Sequence, residues 1–156
     1  MRMRARMRVR DRWREDRGGS LIEFALISFM FVILLAGVVE MGRMVLVYTT
    51  IANAARAGAR YAIVHGKDRS GPGATGVNGP SGPGTTTQVE TVVKNFASAG
   101  LLNTSALTIT VSYPNGNTAG SPVSVTVAYT YDPFVNYFGT LLNRSLGSTS
   151  QGIITY

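Results

Sequence analysis

The sequence predicts an α+β chain: a long N-terminal transmembrane helix, then an amphipathic helix packed on a small antiparallel β-sheet. Three patterns predict it. From Phe24 to Val39 sixteen residues run without a charge, close to the ~20 apolar residues that cross a hydrocarbon core of ~30 Å. After Thr87 apolar residues recur with a helical period, and from Leu107 they alternate with polar ones at the period of a half-buried strand. The 156 residues suffice for one small domain and an anchor.

Residues 1–19 form a charged leader. Eight arginines and three acids lie between Arg2 and Arg17, so five of the seven net positive charges belong to this leader. Its composition reads as a disordered segment that meets anionic lipid. Residues 20–64 read as one helix. After the charge-free run come Met41, Met44, Val45, Val47 and Tyr48, then an alanine-rich stretch through Ala62, and alanine has the highest helix propensity. A helix of that length would measure about 67 Å, about twice the membrane core, so its second half must pack on something other than lipid. The flank after the run carries only Arg43, Arg56 and Arg60. The arginine bias therefore places the N-terminus in the cytoplasm and the C-terminal part outside.

Residues 65–84 are a linker rich in Gly, Pro and Ser that cannot hold a helix or a central strand. Residues 85–156 read as the α+β domain. Thr87 and Glu90 have capping-box spacing. Val89, Val92, Val93, Phe96 and Ala97 follow on one helical face, and Gly100 is a fitting stop. Leu107, Ile109, Val111 and Tyr113 alternate with Thr108, Thr110 and Ser112; after a turn at Pro114–Asn117, alternation resumes from Val123 to Tyr131. These runs predict an antiparallel hairpin. Phe134–Leu142 reads as a short helix or packed loop, and Gly152–Tyr156 as a third strand.

Two junctions carry candidate function. The first is Arg17-Gly18-Gly19-Ser20-Leu21-Ile22-Glu23-Phe24, a basic leader, glycine, then an apolar helix with a glutamate near its start. A carboxylate within a membrane helix is costly and usually functional. This junction resembles a type IV prepilin cleavage site. The second is Val39-Glu40-Met41-Gly42-Arg43 followed by Asn53-Ala54-Ala55-Arg56-Ala57-Gly58-Ala59-Arg60-Tyr61-Ala62. Glu40 and Arg43 are three apart and can pair on one face, and Arg56 and Arg60 share a face.

Together with "LIEFAL", the segments "VEMGR" and "NAARAGARYA" resemble the TadE-like family of tight-adherence (Flp) pilus systems, which typically shows "LVEFAL", "VEFGR" and "NAAREGARYA". Ala57 departs from that pattern, as does the longer Gly/Pro linker. The resemblance implies a pilin-like fold and a minor pseudopilin role in pilus assembly. It implies leader cleavage between Gly18 and Gly19, with Glu23 as the assembly glutamate pairing with a neighbouring subunit's amine. It further implies motif roles for Phe24, Glu40, Gly42, Arg43, Asn53, Ala54, Ala55, Arg56, Gly58, Ala59, Arg60 and Tyr61. The partners so implied are other pilin-like subunits, the prepilin peptidase, the inner-membrane assembly platform and the lipid bilayer. The place so implied is the bacterial inner membrane, or a surface pilus.

Other functions find little footing. There is no cysteine and one histidine, His65, so no metal set is expected and no cofactor is implied. A Ser-His-Asp arrangement built on His65 and Asp132 lacks a nucleophile elbow, and the chain does not read as an enzyme. No nucleic-acid reading module accompanies the basic leader, and no nucleic-acid partner is expected. The alternative reading is a secreted or envelope domain with an ordinary signal peptide or signal anchor. It has to explain an apolar run longer than a usual signal core, with Glu23 inside it.

Overall fold

The computed structural model describes residues 7–69, 74–75, 78–100, 102–133 and 144–155, with the backbone alone for residues 7–17. The chain divides into two compact units, Met1–Met41 and Gly42–Tyr156. Helix α1 runs Met7–Val64. It begins within the leader, where a disordered segment was expected, and not at Ser20. Arginine is a good helix former, and glycines cost only ~1 kcal/mol each in a helix interior, so Gly18 and Gly19 do not interrupt it. In the first unit, the large apolar side chains from Leu21 to Val39 are 44–69% exposed. Among the described residues nothing covers them, which is the pattern of a lipid-facing helix.

In the second unit α1 changes character. Val47, Ile51, Ala54, Ala55, Ala59 and Ala62 are buried at helical spacing. Helix α2, Thr87–Ala99, buries Val89, Val93 and Ala97; Phe96, expected on the same face, stays 43% exposed. The helix starts one residue away from the expected cap. Thr86 is the N-cap, and its hydroxyl donates to Glu90 Oε1 at 2.8 Å, so the Thr–Glu contact spans four residues where Thr87 and Glu90 span three. A 3₁₀ turn at Thr104–Ala106, capped by the side chain of Asn103, leads into the sheet.

The sheet has three antiparallel strands in the order β1 (Leu107–Ser112), β2 (Pro122–Tyr131), β3 (Arg144–Ile153). Ile109 pairs with Val127 and Val111 with Val125, so the apolar halves of the two alternating runs share one face. Val123, Val125, Val127 and Tyr131 are at most 1% exposed, and each buried valine contributes about 1.5–3 kcal/mol through burial. The third strand is Arg144–Ile153, not Gly152–Tyr156. Its inward residues Leu146, Ser148, Ser150 and Gly152 are opposite Tyr129, Val127, Val125 and Val123. Phe134–Leu142 lies outside the described residues. The α+β class expected from the sequence, with a long apolar helix, a second helix and a small antiparallel sheet, is the class found.

Gly58 joins the three layers. A Cβ added there would lie 2.6 Å from Val93 Cγ2 on α2 and 3.2 Å from Val125 Cγ1 on β2. The small residues of α1 thus let it seat against both α2 and the sheet. Gly152 makes a similar close approach under Ile63, and Gly100 under Thr50.

Candidate functional site

The residues singled out by sequence fall into three groups along α1. Gly18, Gly19, Glu23 and Phe24 form the first. All four are exposed, Phe24 at 69%, and a Cβ at Gly18 or Gly19 would meet nothing within 4 Å. The junction is therefore open to an approaching chain or enzyme within the first unit.

Glu40, Gly42 and Arg43 form the second group. Glu40 is buried, in contrast to the exposed Val38, Val39 and Met41 beside it. Gly42 is open, with nothing within 4 Å of an added Cβ. The Arg43 guanidinium stands 5.6 Å from the centroid of the Tyr131 ring. A cation over an aromatic face at this distance is attracted by the ring quadrupole. Tyr131 ends β2 and is 1% exposed, so this contact ties the start of α1 in the second unit to the end of the central strand. No pattern in the sequence announces it, because Arg43 and Tyr131 are far apart in the chain.

The third group, Asn53 to Tyr61, is split by the fold into two faces. Ala54, Ala55, Gly58 and Ala59 face inward and make the seam with α2 and β2. Asn53, Arg56 and Arg60 are exposed, and Arg56 Nη1 donates to Asn53 Oδ1 at 3.2 Å. Tyr61 is half-buried. Its ring stacks on His65 with centroids 3.8 Å apart and planes 12° from parallel.

His65 is not simply the polar end of a helix. It is 7% exposed, and its Nδ1 lies 2.8 Å from the Tyr61 carbonyl, a contact in which Nδ1 must carry the proton. Burial lowers its pKa, the bond to Tyr61 opposes this, and Arg69 lowers it further. Ser81, fully buried, accepts from the Tyr113 hydroxyl at 2.9 Å and donates through its own hydroxyl and its amide to the His65 carbonyl. Asn117 Nδ2 donates to the Ser81 carbonyl, and the Lys67 amide to the Asn117 carbonyl. This knot holds both ends of the Gly/Pro segment to the domain. Burial also raises the phenol pKa of Tyr61, against the pull of Arg69, and that of Tyr113, against its bond to Ser81.

Among the described residues, Asp132 is not placed beside His65. Asp132 adjoins Tyr131, which Arg43 contacts, and His65, one residue past the end of α1, is about 33 Å along the helix axis from Arg43. Ser81 spends its hydroxyl on a backbone carbonyl. Among the described residues no group of three or more His, Asp or Glu side chains could hold a metal ion.

Among the described residues one helical stretch, Gly18–Val64, is long and apolar enough to cross a membrane. The chain matches no curated protein and no solved structure. Residues 18–60 match the family model described as TadE-like protein, a span that begins at the Gly18 junction and ends at Arg60, before the sheet. Residues 18–60 are thus similar to TadE-like proteins, as their motifs had suggested, and they lie in a helix long and apolar enough to cross a membrane.

Proposed function

We propose that the chain is a minor pseudopilin that acts in assembling tight-adherence pili, with α1 as both its membrane anchor and its assembly surface. The observation that carries this reading is that one helix joins an exposed apolar stretch, led by Gly18 and Glu23, to a seam of small residues that holds an α+β domain, within a TadE-like segment. A helix of this kind is stable in lipid and can equally pack against parallel helices of other subunits. The leader stays in the cytoplasm, a prepilin peptidase cuts between Gly18 and Gly19, and the domain lies outside the inner membrane. Glu23 sets the register with a neighbouring pilin-like subunit on the assembly platform. The chain performs no catalysis.

The test is the N-terminal sequence and intact mass of the protein taken from bacterial membranes. The expected chain begins at Gly19 and remains in the membrane. A soluble chain beginning beyond Val39 would overturn the reading in favour of an ordinary secreted domain, and an uncut chain would make it a permanent membrane component. Glu23→Ala is expected to abolish pilus assembly without releasing the protein from the membrane; unaltered assembly would remove the registry role.

A further inference from the structure

The buried half of the motif explains itself by packing; the exposed half does not. Val45 and Tyr48 are 63% and 50% exposed, and Ala52, Arg56 and Arg60 continue their side of α1, each three or four residues from the last. The stripe is apolar through Ala52 and doubly cationic after it. Between Glu40 and Val64, α1 has no acidic residue, and neither Arg56 nor Arg60 forms an ion pair with a described residue. Counted from Val39, where the charge-free run ends, Arg56 is about 26 Å along the helix. That exceeds the ~5–8 Å depth of a headgroup layer, so lipid phosphate at the membrane surface is not a natural counter-charge.

We infer that this outer stripe of α1 docks the stem of a different membrane-anchored subunit, a helix apolar to the level of Ala52 that carries carboxylates one turn apart opposite Arg56 and Arg60. A second copy of this chain is a poor occupant. Parallel helices anchored in one membrane pack side by side at matching levels, and two copies would set arginines against arginines with no acid to separate them. Like charges facing each other suppress the wrong pairing, and complementary ones select the right one. The inference rests on the pseudopilin reading only in taking the partner to be another anchored stem.

The chain has no cysteine, so Thr49→Cys, exposed two turns before Arg56, gives a clean cross-linking reporter. Two differently tagged full-length chains, each carrying Thr49→Cys, are co-expressed and oxidised in membranes. The probe for an acidic stem is the same chain with R56E/R60E. Pairing of the unreversed chain with this probe is expected to exceed its self-pairing about fivefold, the size of two exposed charge pairs, and to weaken in high salt. A neutral R56Q/R60Q chain is expected to fall between them. Equal yields in all pairings, a neutral chain equal to the reversed one, or strongest self-pairing would each overturn the inference. Pairing is read whether or not pili form, so its failure leaves the leader-processing test untouched, and the reverse holds too.

Discussion

Helix α1 uses apolar residues in two ways, one on each side of the Met41–Gly42 boundary. Before it, large side chains point outward all round the helix and are about half or more exposed; after it, the buried positions are mostly alanine and glycine, confined to one stripe. Size separates the two uses better than hydrophobicity. Large residues all round suit a fluid solvent of acyl chains, which conforms to any shape. Small residues in a stripe suit a rigid neighbour, where each missing methylene brings two backbones closer.

The largest effect should come from testing that difference with one kind of truncation. Ile51 is fully buried, and Leu34 is 60% exposed. Ile51→Ala is expected to destabilise the second unit by about 2–5 kcal/mol, through lost burial and the cavity left behind. Leu34→Ala is expected to stay within about 0.5 kcal/mol. Denaturant unfolding in detergent, followed through the tyrosine near-ultraviolet signal, reads both. Equal losses would mean that the two stretches are not different environments.

The reverse change sharpens the comparison. Gly58→Leu drives a side chain into Val93 and Val125 and is expected to cost about 1–3 kcal/mol by overpacking. Gly42→Leu meets nothing within 4 Å and is expected to be neutral or slightly stabilising, since leucine is the better helix former. A thermal melt of the two variants side by side checks this. A harmless Gly58→Leu would show that α1 does not seat closely on α2 and β2.

The same contrast explains what could be read from the sequence. The charge-free run, the apolar face of α2 and the alternation in β1 and β2 all write a period into the chain, and each produced its element. Strand β3 is not legible in the sequence because its inward positions hold Ser148, Ser150 and Gly152. They show no apolar alternation, and the strand forms through its ladder to β2. The junction residues and the motif were legible as a family pattern, but the division of that motif into a buried and an exposed face needed the fold. The Ser81–Tyr113–Asn117 knot was invisible, because its members come from a Gly/Pro stretch and a turn more than thirty residues apart.

That knot carries the smallest expected effect, a dependence of stability on pH confined to the second unit. His65 titrates at an ordinary 6.5 when unfolded and lower when folded, chiefly because it is buried. Between those two values the unfolded chain binds more protons, so stability rises with pH there. The contribution is fully present above 6.5 and is lost as pH falls through the folded value. The melting temperature of the second unit is expected to be flat from about pH 8 to 7 and to decline below about 6.5. His65→Gln, which keeps a polar side chain beside Tyr61, should remove most of that decline. If the decline persists unchanged in His65→Gln, the groups responsible lie elsewhere, and the stacked His65 is a packing element and not a charge-sensitive one.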